Sequence, residues 1–243
     1  MNWLRRTWLL ILTHVGALLP LALLIWNSFH DELTANPIQY ITFRTGKTAL
    51  VLLVLALACT PLNTVFGFRQ VVGLRKSFGL YAFLYATLHF LTFVGLDYQF
   101  DPELLKEAIF KKRYALVGFA AFLTLLPLAV TSTKGWMRRL GKNWKRLHRL
   151  IYLAALLAIV HFVWLVKSDI REPLAYGAVV VTLLGLRLKT IRRTLVNLRE
   201  KFASRRRGSD REAVKKLTEA AVTRNSCLPS DRPPFSKGGT SAG

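Results

Sequence analysis

Long apolar blocks separated by short basic segments constrain the fold of this chain more than any other feature. A helix needs about 20 apolar residues to cross a hydrocarbon core about 30 Å thick. Six stretches approach that length, and none alternates apolar and polar residues as barrel strands do. We therefore predict an all-α integral membrane protein whose transmembrane helices lie at about 8–27, 48–66, 78–96, 114–131, 150–166 and 173–188. The sixth is the weakest, because Arg187 stands near its end.

The basic residues of the chain follow the same division. The net charge is +22, and most Lys and Arg residues lie between the apolar blocks or in the last quarter of the sequence. A strongly basic chain can bind nucleic acid, but basic residues beside apolar spans are the usual means of fixing membrane orientation. We therefore exclude nucleic acid as a partner and take membrane lipid as the surroundings. Alternate connections, on the same side as the two termini, are richer in Lys and Arg than the connections on the other side. Since the richer side is normally cytoplasmic, we predict a six-helix bundle with both termini in the cytoplasm.

The composition changes at about residue 200. Residues 1–200 hold all six apolar blocks and are predicted to form one transmembrane domain. From residue 201 to 243 the chain is polar, and Pro, Ser and Gly dominate its end. Such a segment cannot bury enough apolar surface to fold. We therefore predict that 201–243 is a disordered cytoplasmic tail.

Two histidines at similar depth in the membrane are the first candidates for chemistry. The third and fifth helices run in the same direction, and His89 and His161 lie comparable distances along them. Each histidine ends a stripe of small residues, Gly79, Ala82 and Ala86 on one helix and Ala154 and Ala158 on the other. Such stripes commonly mean close helix packing, but they also leave a flat slot between helices. Because neutral imidazole is an axial ligand of haem iron, the pair predicts one low-spin, bis-histidine haem.

A third histidine lies at the cytoplasmic edge. His148 is thirteen residues before His161, which is about 20 Å along a helix axis. A second haem would need a histidine near position 75 or 76, where the chain has Arg75 and Lys76. This cationic pair favours an anionic group, such as a flavin phosphate or a haem propionate. The alternative is an interfacial histidine without such a role, and His14 on the first helix likewise has no evident partner.

Two further patterns in the sequence have simpler explanations. The run from Arg44 to Thr48 resembles the end of a phosphate-binding loop, but Ile41 stands where that motif needs a glycine. We predict instead that Thr45 and Thr48 begin the second helix. The two cysteines form no metal or redox pattern, so a disulfide is not expected.

These features favour an electron conduit over two other classes of membrane protein. A histidine-using transporter or proton pathway would be expected to carry acidic residues inside its spans and internal repeats. The six spans contain no Asp or Glu, and inspection of the sequence finds no repeat. A purely structural anchor would not need two histidines at matched depth.

Three stretches of this sequence resemble the MsrQ (formerly YedZ) family, a haem-binding membrane subunit within the ferric-reductase-like group. They are RTGKTAL at 44–50, GLYAFLYATLHF at 79–90 and TSTKGWMRRLGKNWKRLHRLIYLAALLAIVHFVW at 131–164, and the similarity runs from about residue 7 to 200. The resemblance implies a b-type haem, with FMN also associated, in a bacterial inner membrane. It further implies electron delivery to a periplasmic molybdopterin-containing partner that reduces methionine sulfoxide in proteins.

The resemblance also assigns residues. The family's histidines map onto His89, His148 and His161, and its basic pair maps onto Arg75 and Lys76, where Lys76 replaces the usual arginine. The electron donor implied is a quinone or a flavin reductase. Because the chain has no cysteine, molybdenum or substrate motif, we expect no catalytic residue here and place the substrate-reducing site on the partner. The tail beyond about 205 matches no family feature.

Overall fold

Helices are the only regular elements in the part of the chain that the computed structural model describes, residues 2–30, 35–166, 169–187 and 197. The helices are α1 (Asn2–Phe29), α2 (Pro37–Phe66), α3 (Arg69–Leu91), α4 (Pro102–Lys111), α5 (Arg113–Val130), α6 (Lys134–Leu140), α7 (Lys142–Leu147), α8 (Leu150–Leu165) and α9 (Arg171–Gly185). A π-helical turn (Thr92–Asp97) continues α3. The predicted all-α class is confirmed for these residues, whereas the predicted tail, 201–243, lies outside them.

Five of the described helical stretches are long and apolar enough to cross a membrane. They are Thr7–Phe29, Pro37–Phe66, Gln70–Asp97, Arg113–Val130 and Lys142–Leu165. These stretches contain the first three predicted spans whole, and the fourth and fifth except for their last residue. Helix α9 has 15 residues, or about 22 Å of helix, which is shorter than the hydrocarbon core. The sixth span and the cytoplasmic location of the termini therefore stay predictions.

Helix α2 begins earlier than its hydropathy suggests. Its first residue is Pro37, and the side chain of Asn36 accepts a hydrogen bond from a backbone N–H of the first turn at 3.2 Å. An Asn cap followed by Pro is a strong helix start. Because α2 begins at Pro37, Thr45 and Thr48 lie well inside the helix, and the prediction that they begin it is wrong. Thr45 is also buried. Charged residues in the first turns lower the local hydropathy without disturbing the backbone hydrogen bonds.

Two helix pairs form the centre of the bundle. Helix α2 packs along α3, and α5 packs along α8, with more extensive contact than any other described pair. The first pair is joined directly, and the second through the short basic helices α6 and α7. Helix α1 lies against α3, where the Tyr85 hydroxyl donates to the Ala17 carbonyl at 2.7 Å in a buried contact. The two pairs therefore frame the interior of the protein, and α1 covers one side.

Arg187 joins the end of α9 to the rest of the bundle. Its guanidinium donates to the Tyr152 hydroxyl at 2.8 Å and to the Leu57 carbonyl at 2.7 Å. Hydrogen bonds from a charged donor are stronger than neutral ones. The arginine that weakens the sixth apolar block in sequence is therefore held by α8 and α2.

Candidate functional site

The structure brings the two membrane-depth histidines together. The ring centroids of His89 on α3 and His161 on α8 are 6.1 Å apart, and the ring planes meet at 80°. Both rings line one cavity of about 1040 Å³ between the two helix pairs. That volume is at the upper end of the range for small-molecule and cofactor sites. The site is therefore a shared cavity with an imidazole on each of two helices.

Each histidine is oriented by a backbone carbonyl of the neighbouring helix. Nδ1 of His89 donates to the Thr42 carbonyl at 2.9 Å, and Nδ1 of His161 donates to the Tyr114 carbonyl at 2.7 Å. A carbonyl can only accept, so each Nδ1 carries a proton, and in a neutral imidazole the other nitrogen then carries none. The unprotonated nitrogen is then Nε2, which has a lone pair for a metal. This is the usual way in which a ligating histidine has its tautomer and ring orientation fixed.

A glycine lies against each imidazole. A Cβ added to Gly46 would lie 2.9 Å from Nδ1 of His89, and one added to Gly118 would lie 2.6 Å from Nδ1 of His161. Each glycine is one helical turn after the carbonyl that its histidine contacts. A side chain at either position would hold the ring away from that carbonyl. The two glycines therefore allow the close approach on which both hydrogen bonds depend.

These contacts form a repeat that inspection of the sequence missed. In both halves the histidine and its carbonyl partner are 47 residues apart. The equivalent positions, 72 residues apart in the chain, are Thr42 and Tyr114, Gly46 and Gly118, and His89 and His161. The finding of no repeat is therefore wrong for the site. The equal spacing of Gly46–His89 and Gly118–His161 is the signal that could have revealed it.

The spacing of the two rings fits an iron between them. Metal–imidazole bonds are about 2 Å long, so two rings that share one metal through Nε2 have centroids roughly 6 Å apart. The observed separation is 6.1 Å. Both Nδ1 atoms are engaged elsewhere, which leaves the nitrogen atoms that such a metal needs. The residues present therefore fit a bis-histidine haem.

Only part of the predicted small-residue stripes lines the cavity. Ala82, Ala86 and Ala158 do so. Ala154 is fully buried outside the lining, and a Cβ on Gly79 would meet nothing within 4 Å. The small residues nearest the histidines therefore shape the cavity, and the more distant ones belong to helix packing or to the surface.

Charged residues line the mouth of the cavity. Arg44, Lys47, Asp97, Asp169 and Glu172 contribute to it. Lys47 on α2 forms an ion pair with Glu172 on α9. Among the described residues no acidic side chain pairs with Arg44, which leaves its cationic group for an anion such as a propionate carboxylate. The sequence gives no sign of this role, because Arg44 lies ahead of the predicted second span, 48–66.

His148 occupies a different environment, between the end of α7 and the start of α8. Its Nε2 lies 3.3 Å from Oγ1 of Thr131, and its ring packs at 4.1 Å from the ring of Trp144. The Thr131 hydroxyl donates to the Pro127 carbonyl at 2.6 Å, so Nε2 of His148 must be the donor to Thr131. No other histidine lies beside it in the described chain.

The structure separates the two predicted basic residues. Arg75 is partly buried and lies near enough to His148 for its charge to act on the imidazole. Lys76 is exposed. Arg75, in the first turns of α3, therefore lies within electrostatic reach of His148, just before α8, whereas Lys76 is exposed.

Known proteins show similarity over most of the described helices. Residues 45–159 match the family described as ferric reductase like transmembrane component. The MsrQ haem-binding subunit of the protein-methionine-sulfoxide reductase of Xanthomonas axonopodis pv. citri is 50% identical over 183 residues, which are 73% of this chain and 84% of that protein. The subunit of the same name from Bordetella pertussis is 44% identical over 179 residues, which are 73% of this chain and 87% of that protein. No solved structure matches the chain significantly.

Proposed function

This chain belongs to the MsrQ family, and we propose that it holds one b-type haem between His89 and His161 and carries electrons across a bacterial inner membrane. The observation that carries the proposal is the pair of rings 6.1 Å apart whose Nδ1 atoms are both bound to carbonyls. When bound, such a haem supplies one-electron transfer between ferric and ferrous iron. Because His89 and His161 would both be ligands, the iron would be suited to electron transfer rather than to binding a substrate.

The residues of the chain would hold and shield this group. His89 and His161 supply Nε2 atoms at a fixed orientation, because their Nδ1 protons are held by Thr42 and Tyr114. Phenylalanine side chains line the cavity and would keep water from a bound iron, which would tune its potential. Arg44 at the mouth would pair with a propionate carboxylate. The protein therefore acts by binding and orienting, with no catalytic side chain of its own.

The proposed electron path begins at the cytoplasmic side or the quinone pool and ends in the periplasm. The acceptor is a molybdopterin-containing subunit that reduces methionine sulfoxide in proteins, and the substrate-reducing site lies on that partner. The relatives are named as subunits of a protein-methionine-sulfoxide reductase, which supports a redox partner of this kind. This chain is then the electron-transferring subunit of an oxidoreductase.

We place α9 as the sixth span, with both termini cytoplasmic. Its first turn contributes Glu172, which pairs with Lys47 near the start of α2. Arg187, just after its end, reaches the Leu57 carbonyl, ten residues further along α2. Helix α9 therefore runs beside α2 in the same direction, as a sixth span would. Ion pairs and hydrogen bonds at its two ends would compensate for its short length.

A second cofactor site is proposed at the cytoplasmic end. Arg75, Lys76 and His148 would hold an anionic group there, for which FMN is the candidate. The support is that the charge of Arg75 acts on the His148 imidazole and that guanidinium groups bind phosphate. The exposed position of Lys76 makes Arg75 the stronger contributor.

A visible absorption spectrum of the purified full-length protein tests the main proposal. A reduced spectrum with sharp low-spin haem bands, at one haem per chain, is expected. The repeat at the site favours one alternative, a histidine-using transporter or proton pathway, because transporters are often built from repeats. That alternative predicts no haem absorption, and a protein that binds no haem after expression with haem precursor would contradict our proposal.

A further inference from the structure

His14, on the first helix, has a partner that the sequence does not suggest. Nδ1 of His14 on α1 lies 2.8 Å from the hydroxyl oxygen of Tyr81 on α3. The two rings meet edge to face, with centroids 5.6 Å apart and planes at 69°. His14 is exposed on the surface of the bundle, whereas Tyr81 is partly buried. The pair thus links two helices at the side that faces the lipid.

This pair lies at hydrocarbon depth. His14 is seven residues inside the apolar stretch that begins at Thr7, which corresponds to about 10 Å of helix. The headgroups of membrane lipids lie at the interface, outside a core about 30 Å thick. An exposed ionisable side chain at that depth is costly and marks a functional site by default.

The pair has hydrogen-bonding capacity to spare. With Nδ1 bound to Tyr81, Nε2 of His14 has no protein partner among the described residues. If the tyrosine hydroxyl donates to Nδ1, Nε2 carries a proton and can donate; if Nδ1 donates, Nε2 can accept. The pair can therefore bind either a carbonyl or a hydroxyl by exchanging tautomers.

The location of the pair links it to the candidate haem site. Tyr81 precedes Ala82, which lines the cavity that holds His89 and His161. Tyr81 and His89 are eight residues apart on α3, or about 12 Å along the axis. A ligand at the pair would therefore be separated from the cavity by about one helix width.

Helix packing alone does not account for these side chains. The buried hydrogen bond from Tyr85 to the Ala17 carbonyl already joins α3 to α1, one turn away from the pair. The Tyr81 ring packs against the core, but its hydrogen bond to His14 is exposed. This exposed polar contact leaves Nε2 of His14 open to a ligand dissolved in the membrane.

We propose that His14 and Tyr81 bind the head group of a lipid-soluble quinone. Quinones are membrane molecules whose carbonyl and hydroxyl oxygens lie within the hydrocarbon region, as the depth of the pair requires. Nε2 of His14 donates to a quinone carbonyl or accepts from a quinol hydroxyl, and Tyr81 sets the tautomer. A role of this site in electron entry depends on the proposed electron-transfer function. Binding of a quinone at the site does not depend on it.

The test uses the full-length protein in nanodiscs of quinone-free lipid. A photoreactive azidoquinone reports binding directly, and stopped-flow absorption follows haem reduction by duroquinol. Each quinol loses two electrons and two protons and reduces two ferric haem groups in this assay. In His14→Leu and Tyr81→Phe we expect labelling of α1 and α3 to disappear and quinol-driven reduction to slow roughly tenfold, about the effect of one lost hydrogen bond. Reduction by dithionite should not change.

His30→Leu is the control, because His30 directly follows the last residue of α1 and its contacts within the described chain are with Trp26. It should label and react as the unaltered protein does. Unchanged labelling and quinol rates in both His14→Leu and Tyr81→Phe, with or without a lower melting temperature, would overturn the proposal. Labelling at His14 in a protein that binds no haem would support quinone binding but contradict the proposed function. Normal haem content without labelling would support the proposed function but contradict quinone binding at His14 and Tyr81.

Discussion

Gly118 and His161 approach one another so closely that a Cβ on the glycine would lie 2.6 Å from Nδ1 of the imidazole. Real Cβ atoms essentially never lie so near another heavy atom, so a side chain there must displace the ring or the helix. The same relationship between Gly46 and His89, at 2.9 Å, makes the contact a property of both halves of the site. Replacing either glycine by alanine therefore distinguishes two effects. Helix propensity predicts a gain in stability, whereas the proposed haem site predicts a loss of haem.

Gly118→Ala should lower haem content or convert the haem to a high-spin form, with a smaller effect for Gly46→Ala. Alanine normally favours a helix over glycine by about 1 kcal/mol, so helix propensity alone predicts a gain in stability. Gly79→Ala on α3 is the control, since its Cβ would meet nothing within 4 Å. Haem per protein and the position of the reduced bands are the measurements. Identical spectra for all three variants would contradict a role for the glycines.

His89→Ala and His161→Ala should each remove an axial ligand and cause loss of haem or a high-spin spectrum. The reason is that the described cavity offers no third imidazole to take the vacant place. Adding free imidazole should restore a low-spin spectrum in whichever variant retains haem. His30→Ala, just after the end of α1, is the control for the loss of a histidine outside the cavity. Full haem content with an unaltered low-spin spectrum in both variants would refute the ligand assignment.

The electron paramagnetic resonance spectrum of the ferric protein should be highly anisotropic. The rings of His89 and His161 are close to perpendicular, at 80°. Perpendicular axial imidazoles act on different iron d orbitals and keep them close in energy, which shifts spectral intensity into one low-field feature. A rhombic spectrum with three resolved features would instead indicate parallel ring planes.

Arg75→Ala should lower the content of bound FMN by roughly tenfold, because a charge-assisted hydrogen bond to phosphate is lost. Lys76→Ala should have a much smaller effect, since Lys76 is exposed. Arg75→Lys keeps the charge but not the planar fork, and should fall between the two. Flavin fluorescence after extraction measures the outcome, with haem content as the internal control. Equal flavin content in all variants would remove the proposed site.

Reporter fusions should place both ends of the chain in the cytoplasm. A fusion after residue 135, in the basic connection between α5 and α8, should be active only with a cytoplasmic reporter. A fusion after Asp101 should be active only with a periplasmic one. The opposite result at either position would contradict the six-span topology.

The sequence is a good guide to the helices and a partial guide to the site. Continuous apolar blocks predict α1, α3, α5 and α8 because a span must satisfy its backbone internally. The beginning of α2 escapes this reasoning, since it depends on a cap at Asn36 rather than on hydropathy. The two site histidines could be paired by depth alone, although their role as ligands stays a prediction.

Contacts between helices were the part that sequence reasoning could not supply. The partner of His14 is Tyr81, 67 residues away, and no periodicity of either helix points to the other. Gly46 stands in a run that only superficially resembles a phosphate-binding loop, and nothing in that run indicates that it faces an imidazole, as it does in the structure. Such relations depend on the rotation of each helix about its axis, which apolar content leaves undetermined in a span that is apolar on all sides.

The division of the bundle into two tightly packed pairs, α2 with α3 and α5 with α8, has a consequence for biogenesis. Each pair can form on its own in the bilayer, because most of its contacts are internal, but each carries only one of the two imidazoles. Binding of the iron by both histidines would therefore occur late in assembly, and it would link the α2–α3 pair to the α5–α8 pair after each has formed. A chain deprived of haem should accumulate as inserted hairpins that associate loosely and are exposed to membrane proteases.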